Sequence, residues 1–233
     1  MTLLQNVLCA ITMTGTTLAP ATRPAVAASQ AGAVLTEHVA SVPMSTTGTV
    51  SIERTWGDVR IEGWDQASVS VRVSARSKAA VPAADAVAAK SALDGFAASI
   101  TQASPSAVTI TALSPDKREL KRFGGKRGIA LTYTISMPRN ANLILRHRTG
   151  SVEVVGLSSD LNVASDVGDV RISTPLGPAV AVTASAAIGD VSVSHGTGVY
   201  RQRALVGQRY SDEPVGAHRR IVARVKIGSV EIK

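Results

Sequence analysis

Five times this chain spells glycine, then aspartate or serine, valine, any residue, and valine or isoleucine. The units begin at Gly57, Gly150, Gly168, Gly189 and Gly228. Gly150 and Gly168 lie 18 residues apart, Gly168 and Gly189 21, and Gly189 and Gly228 39, close to two further periods. A repeat of that size marks a stacked architecture, in which each unit buries its apolar face only against its neighbours. Each glycine then falls at a corner, in a backbone conformation that a side chain would hinder. The valines form an interior ladder, and the residues between them an outer one, reading Glu153, Arg171 and Ser192 in the later units. Glu153 and Arg171 are expected to face each other across adjacent rungs. The expected fold class is mainly β: a β-solenoid, like a parallel β-helix, of short strands joined by GDV and GSV turns.

Strict alternation extends the pattern beyond the five units. Val50 and Ile52, Val59 and Ile61, and Val69, Val71 and Val73 alternate with polar residues, as do Leu143 and Leu145, Leu161 and Val163, and Ile221 to Ile227. Period two places one face in a core and the other in water. Only 3% of the residues are aromatic, so the core is aliphatic and suits closely stacked strands. Residues 79–104 break the alternation. Leu93, Phe96 and Ile100 recur at i, i+3 and i+7, which predicts an amphipathic helix inserted against the sheet. Pro82 suits its first turn, and Gly95 weakens it by about 1 kcal/mol relative to alanine.

The expected organisation is a signal peptide over 1–27, a polar lead over 28–46 and one domain over 47–233. An apolar stretch from Leu3 to Leu18 leads to Ala25-Val26-Ala27, an A-x-A site that would be cut before Ala28. No Lys or Arg precedes that stretch, and Gln5 and Asn6 interrupt it. The mature chain has no uninterrupted run of about 20 apolar residues, so a transmembrane segment is not expected. Export to the periplasm or cell surface follows. Cys9 is the single cysteine and lies in the leader, which leaves no intrachain disulfide and no cysteine cage for a metal.

Lys and Arg outnumber Asp and Glu by 25 to 17, a formal charge of +8. That surplus favours anionic partners. It is concentrated over 114–128, expected as an exposed hairpin loop turning at Gly124-Gly125. Its Lys117, Arg118, Lys121, Arg122, Lys126 and Arg127 form a candidate patch for an anionic envelope polymer or a host surface; the alternative is a solvated loop. Phe123 adds one aromatic ring there. A second cluster comprises Arg201, Arg203, Arg209, Arg219, Arg220 and Arg224. Nucleic acid loses weight as a partner once export is expected.

Catalytic signals are sparse. Asp58, Asp169 and Asp190 could stack as a calcium ladder, but calcium takes roughly six to eight oxygen ligands and Ser151 and Ser229 interrupt the series. Turn-capping aspartates are the better reading. No Gly-rich phosphate loop and no nucleophile elbow occurs. His38, His147, His195 and His218 share no motif with a serine, though His147 and His195 could fall on nearby rungs. The expectation is a protein that is not an enzyme, with no cofactor and no metal. Trp56 and Trp64 read as caps over an open edge, with a sugar platform as the alternative. A structural rival to the binding module is a scaffold that self-associates through exposed strand edges.

Several features in order resemble a bacterial family, the putative adhesin domain, a domain of unknown function. They are the strand pair ending in Gly63-Trp64-Asp65, the strand VSVRVSA, the alanine-rich stretch, the turn Met137-Pro138-Arg139-Asn140-Ala141, and the GSV and GDV units that run to the C-terminus. The basic stretch 114–128 and the Arg-rich segment 199–220 depart from it. The resemblance implies a β-solenoid-like fold at the cell envelope and brings no catalytic residues.

Overall fold

The computed structural model describes residues 33–233 except 116, 124, 126–127, 196–197 and 205. The leader, Cys9, Gly124, Lys126 and Arg127 therefore lie outside the described residues. In chain order the strands are β1 (Leu35–Pro43), β2 (Thr49–Trp56), β3 (Asp58–Trp64), β4 (Ser68–Ser77), β5 (Ala98–Ser104), β6 (Ala107–Ala112), β7 (Ile129–Pro138), β8 (Asn142–Thr149), β9 (Val152–Val155) and β10 (Leu161–Val167). There follow β11 (Val170–Ser173), β12 (Val180–His195), β13 (Gly198–Ala204), β14 (Gln208–Asp212), β15 (Arg219–Ile227) and β16 (Val230–Ile232). Helix α1 (Ala86–Asp94) precedes β5, and the short α2 (Lys117–Leu120) precedes β7.

Each repeat unit is one rung of two strands bent at its glycine: β2 into β3, β8 into β9, β10 into β11, β15 into β16, and the first half of β12 into its second half. The incoming strands form sheet I, in the order β5-β6-β2-β8-β10-β15-β12-β14. The outgoing strands form sheet II, in the order β1-β4-β7-β3-β9-β11-β16-β12-β13. The five rungs are parallel and in register. Val50, Leu143, Leu161, Ile221 and Val182 stack as one interior column of sheet I. Val59, Val152, Val170, Val230 and Val191 stack in sheet II, and both columns are buried. Burying each such side chain contributes roughly 1.5–3 kcal/mol.

The corner explains the glycines. Gly57, Gly150, Gly168, Gly228 and Gly189 have φ of +94°, +125°, +128°, +137° and +131°. A Cβ on Gly150 would lie 2.1 Å from the Gly57 carbonyl oxygen, one on Gly168 2.0 Å from that of Gly150, and one on Gly228 2.0 Å from that of Gly168. The series ends with Gly189 against Gly228 at 1.9 Å. The motif is thus a column of stacked corners, each closed to a side chain by the rung before it.

Two features differ from a solenoid wound rung after rung. First, the last rung in sequence, β15–β16, inserts between β10–β11 and β12. Second, the stack is finished by antiparallel strands: β1 on β4 and β4 on β7, β5 on β6, and β13 and β14 on β12. The two ends of the sheet path come together, with Gln102 Nε2 donating to the Pro43 carbonyl at 2.8 Å and Ser45 N to the Pro105 carbonyl at 2.7 Å. The result is mainly β, a nearly closed, barrel-like wrap around one aliphatic core.

Three local expectations are corrected. The lead segment holds β1, whose Thr36 is buried against the fold. The helix is shorter than 79–104: α1 buries Ala89, Ala92 and Leu93 and ends at Asp94, with Gly95 as its C-cap. Ile100 belongs to β5 and packs on the core from a strand. The stretch 114–128 is not a plain hairpin loop. It forms α2 and a 3-10 turn over Lys121–Phe123, anchored by buried Leu120 and half-buried Phe123.

Candidate functional site

The GDV aspartates are where the corner chemistry resolves. Asp58 Oδ1 accepts from Ser151 N at 3.1 Å, and Asp169 Oδ1 accepts from Ser229 N at 3.0 Å and Ser229 Oγ at 2.6 Å. Those bonds from Ser229 hold the Asp169 carboxyl below its ordinary pKa. Because β15–β16 inserts where it does, the column reads Asp58, Ser151, Asp169, Ser229, Asp190, so no two carboxylates stand on adjacent rungs. Asp58 and Asp169 each cap backbone on the next rung rather than sharing a cation with it. Among the described residues no group of three or more His, Cys, Asp or Glu is placed to hold a metal ion.

Histidine 147 sits at the corner end of β8, buried, with Nδ1 2.9 Å from Thr55 Oγ1. Thr55 reaches it because β2 bulges at Arg54, which has φ +63°, turning an outward position inward. Burial pushes the His147 pKa down. His195 ends β12 in sheet II, beyond the corner, so the fold does not bring the two histidines together. Trp56 packs edge-to-face on Phe96 at 5.5 Å and 73°, while Trp64 Nε1 donates to the Ser68 carbonyl at 2.8 Å. Trp56 ends β2 beside the corner and Trp64 ends β3 at the far side of the rung, so they make no joint platform.

The side of the stack opposite the corner is closed by loops, and Arg219 ties them. This arginine is 8% exposed. Its guanidinium donates to the carbonyls of Ser159 (2.9 Å), Pro175 (2.7 Å) and Leu157 (2.9 Å) and to Thr174 Oγ1 (2.7 Å). The expectation that Arg219 belongs to an anion-binding cluster is corrected: its donors are spent inside the fold. Arg220 pairs with Glu213 at 2.6 Å. The turn Met137–Ala141 is clamped to Asp65 by Arg139 at 2.5 Å, which joins two motifs the sequence keeps far apart.

The outward faces of the two sheets differ in charge. Across sheet II the same register position reads Arg60, Glu153, Arg171, Glu231, Ser192. Glu153 and Arg171 do face each other, as expected, but the ion pairs are Arg60–Glu153 at 2.6 Å and Arg171–Glu231 at 3.5 Å. Sheet I instead carries Arg146, Arg148, Arg209 and Arg224, all exposed and in no ion pair among the described residues. Lys226 there is neutralised by Asp166 at 2.7 Å, which holds the Asp166 pKa down. Arg146 and Arg148 escape sequence reasoning because the pair around His147 is too short to read as a basic run; only the register gathers them with Arg224 and Arg209. Of the patch expected over 117–127, Arg118 and Lys121 are exposed, and the side chains at 117 and 122 lie outside the description along with 126 and 127.

No family model matches this chain, and no curated protein matches it. Among solved structures it is similar to a "putative cell adhesion protein" from Clostridium sporogenes, with 12% identity, TM-score 0.51, and coverage of 85% of this chain and 99% of that one. It also matches a "putative adhesin" from Bacteroides fragilis, with 10% identity, TM-score 0.31, and coverage of 85% and 97%. The first likeness is one of fold, and at that level it bears out the resemblance read from the sequence.

Proposed function

We propose that this chain is an exported, non-enzymatic interaction module of the cell envelope or surface that engages anionic polymers by multivalent contact. The observation that carries it is the contrast of the two faces: the middle rungs of sheet II pair Arg60 with Glu153 and Arg171 with Glu231, whereas sheet I presents Arg146, Arg148, Arg209 and Arg224 in no ion pair among the described residues. Stacked rungs about 4.8 Å apart set outward side chains at regular intervals, so weak contacts add along a bound polymer. The fold shared with a protein named for cell adhesion supports the reading. Arg118 and Lys121, on the segment before β7, are two further exposed cations. No described helix is long and apolar enough to cross a membrane.

The test recovers the full chain from separated cell fractions, confirms by mass a species that begins at Ala28 outside the cytoplasm, and titrates that species with acidic polymers over a salt series. The expected result is binding whose log affinity falls linearly with log salt. An intact Met1 form confined to the cytosol, or no binding to any acidic polymer at low salt, overturns the proposal. The rival scaffold reading draws on the outer edges of β13 and β14, which no described strand covers. It would show as concentration-dependent oligomers in sedimentation, where a monomeric binder would not.

A further inference from the structure

One row of sheet I has a spacing that selects among anionic polymers. Arg146 on β8, Ala164 on β10, Arg224 on β15, Ser185 on β12 and Arg209 on β14 are partners in consecutive register. All five point outward, because their chain neighbours Leu145, Val163, Ala223, Val225, Ala184 and Ala186 are buried. The arginines therefore recur on every second strand, roughly 10 Å apart at the ordinary strand spacing. Ala164 and Ser185 leave clearance between them. Arg148 adds a fourth cation one step along β8. Glu53, opposite Arg146, ends the row at β2.

A second observation lies alongside. The next outward row is Ile144, Asn162, Val222 and Thr183. It borders a shallow depression of about 300 Å³ lined in part by Asn142, Ile144, Asp160, Asn162, Arg220 and Val222. A charged line thus runs beside a row in which apolar Ile144 and Val222 alternate with Asn162 and Thr183, so that apolar side chains can take the flat, C–H-rich side of a sugar ring while the amides, the Thr183 hydroxyl and Asp160 bond hydroxyls.

We infer that this face of sheet I binds a linear acidic polysaccharide carrying one anionic group per disaccharide, a charge about every 10 Å. The inference rests on the proposed binding of anionic polymers and specifies the site and the polymer. Nucleic acid fits poorly: its phosphates recur about every 3.4 Å along a duplex strand, and no aromatic side chain stands in these two rows to stack a base. An anionic membrane would be met by a spread of cations, whereas these stand in a line.

The test uses the full-length mature protein and four probes: hyaluronan oligosaccharides with one carboxylate per disaccharide, polygalacturonate with one per sugar, oligo-dT, and phosphatidylserine vesicles. Tightest binding to hyaluronan is expected. The triple variant Arg146→Gln/Arg209→Gln/Arg224→Gln should lose at least tenfold in affinity and reduce the salt slope by about 2 to 3. Arg146→Lys/Arg209→Lys/Arg224→Lys should keep the slope and lose less than tenfold. Arg60→Gln/Arg171→Gln on sheet II should bind like the native protein. All three target arginines are exposed, so unchanged melting temperatures should accompany these results. If hyaluronan binds but the triple Gln variant binds equally well, the site is wrong while the general reading stands. If oligo-dT or vesicles bind more tightly than hyaluronan, the polymer class is wrong. If no probe binds at low salt, the underlying reading falls as well.

Discussion

Replacing Gly168 by alanine tests the stacked corner directly. At φ +128° an L residue is strained, a cost of about 1–3 kcal/mol. The new Cβ would also stand 2.0 Å from the Gly150 carbonyl oxygen, where ordinary contact begins at 3.4 Å. Relief needs the β8–β9 and β10–β11 rungs to part by about 1.4 Å at that corner. The bonds across it, Gly150 N to the Val167 carbonyl at 3.0 Å and Val152 N to the Asp169 carbonyl at 2.8 Å, would then pass out of range. Two lost bonds contribute roughly 1 kcal/mol each. The total is about 3–5 kcal/mol, a large share of the ~5–15 kcal/mol that holds an ordinary domain folded. For a domain of this size it corresponds to a fall of about 10 °C in melting temperature. Urea unfolding monitored by circular dichroism reads it, with two controls. Gly216→Ala has φ +77° and open space around it, so only strain of about 1–2 kcal/mol is expected. Gly177→Ala has neither a positive φ nor a neighbour within 4 Å, and should change stability by less than about 0.5 kcal/mol. If Gly168→Ala proves no worse than Gly216→Ala, the stacked-corner account is wrong.

Two further outcomes follow from buried polar groups. Arg219→Lys should destabilise by about 2 kcal/mol in the same assay, because an ammonium cannot span four acceptors in two loops and leaves some of them unsatisfied; equality with the native protein would show that the loops need no tie. His147 is lowered by burial, so the unfolded chain binds the proton first, and its stability contribution, complete above about pH 6.5, declines as pH falls below that. His147→Gln should therefore flatten the stability profile between pH 7.5 and 5.5, and an unchanged slope would contradict the burial argument.

The alternation of Val50 to Val73 and Leu143 to Ile172 made strands, corners and core faces legible, because period two and glycine placement are local properties. The rung order was not. Every unit offers the same Val-x-Val or Val-x-Ile face, so nothing local distinguishes the neighbour of Gly168 in sequence, Gly189, from its neighbour in space, Gly228. The cradle of Arg219 draws on carbonyls 44 to 62 residues away, and carbonyls leave no trace in a side-chain pattern. Ile100 shows the opposite failure, where seven-residue spacing from Leu93 imitated a helix that Gly95 had already ended. The 117–127 charges masked a three-residue spacing, Leu120 to Phe123, that anchors the segment. On sheet I, Arg146, Arg224 and Arg209 form one line only after register is known.

The position of β15–β16 gives the segment 219–232 the role of a keystone. A chain cut after residue 218 would lack not its outermost layer but one from the middle, leaving β10–β11 and β12 with facing, unmatched edges. On a ribosome, the protein cannot close its stack until residues 219–232 emerge, and the long loop closures involved make slow completion the natural course. Nor can such a chain be lengthened by appending copies of its last repeat. Its growth point is sealed, which sets it apart from modular arrays and fixes the length of its arginine line.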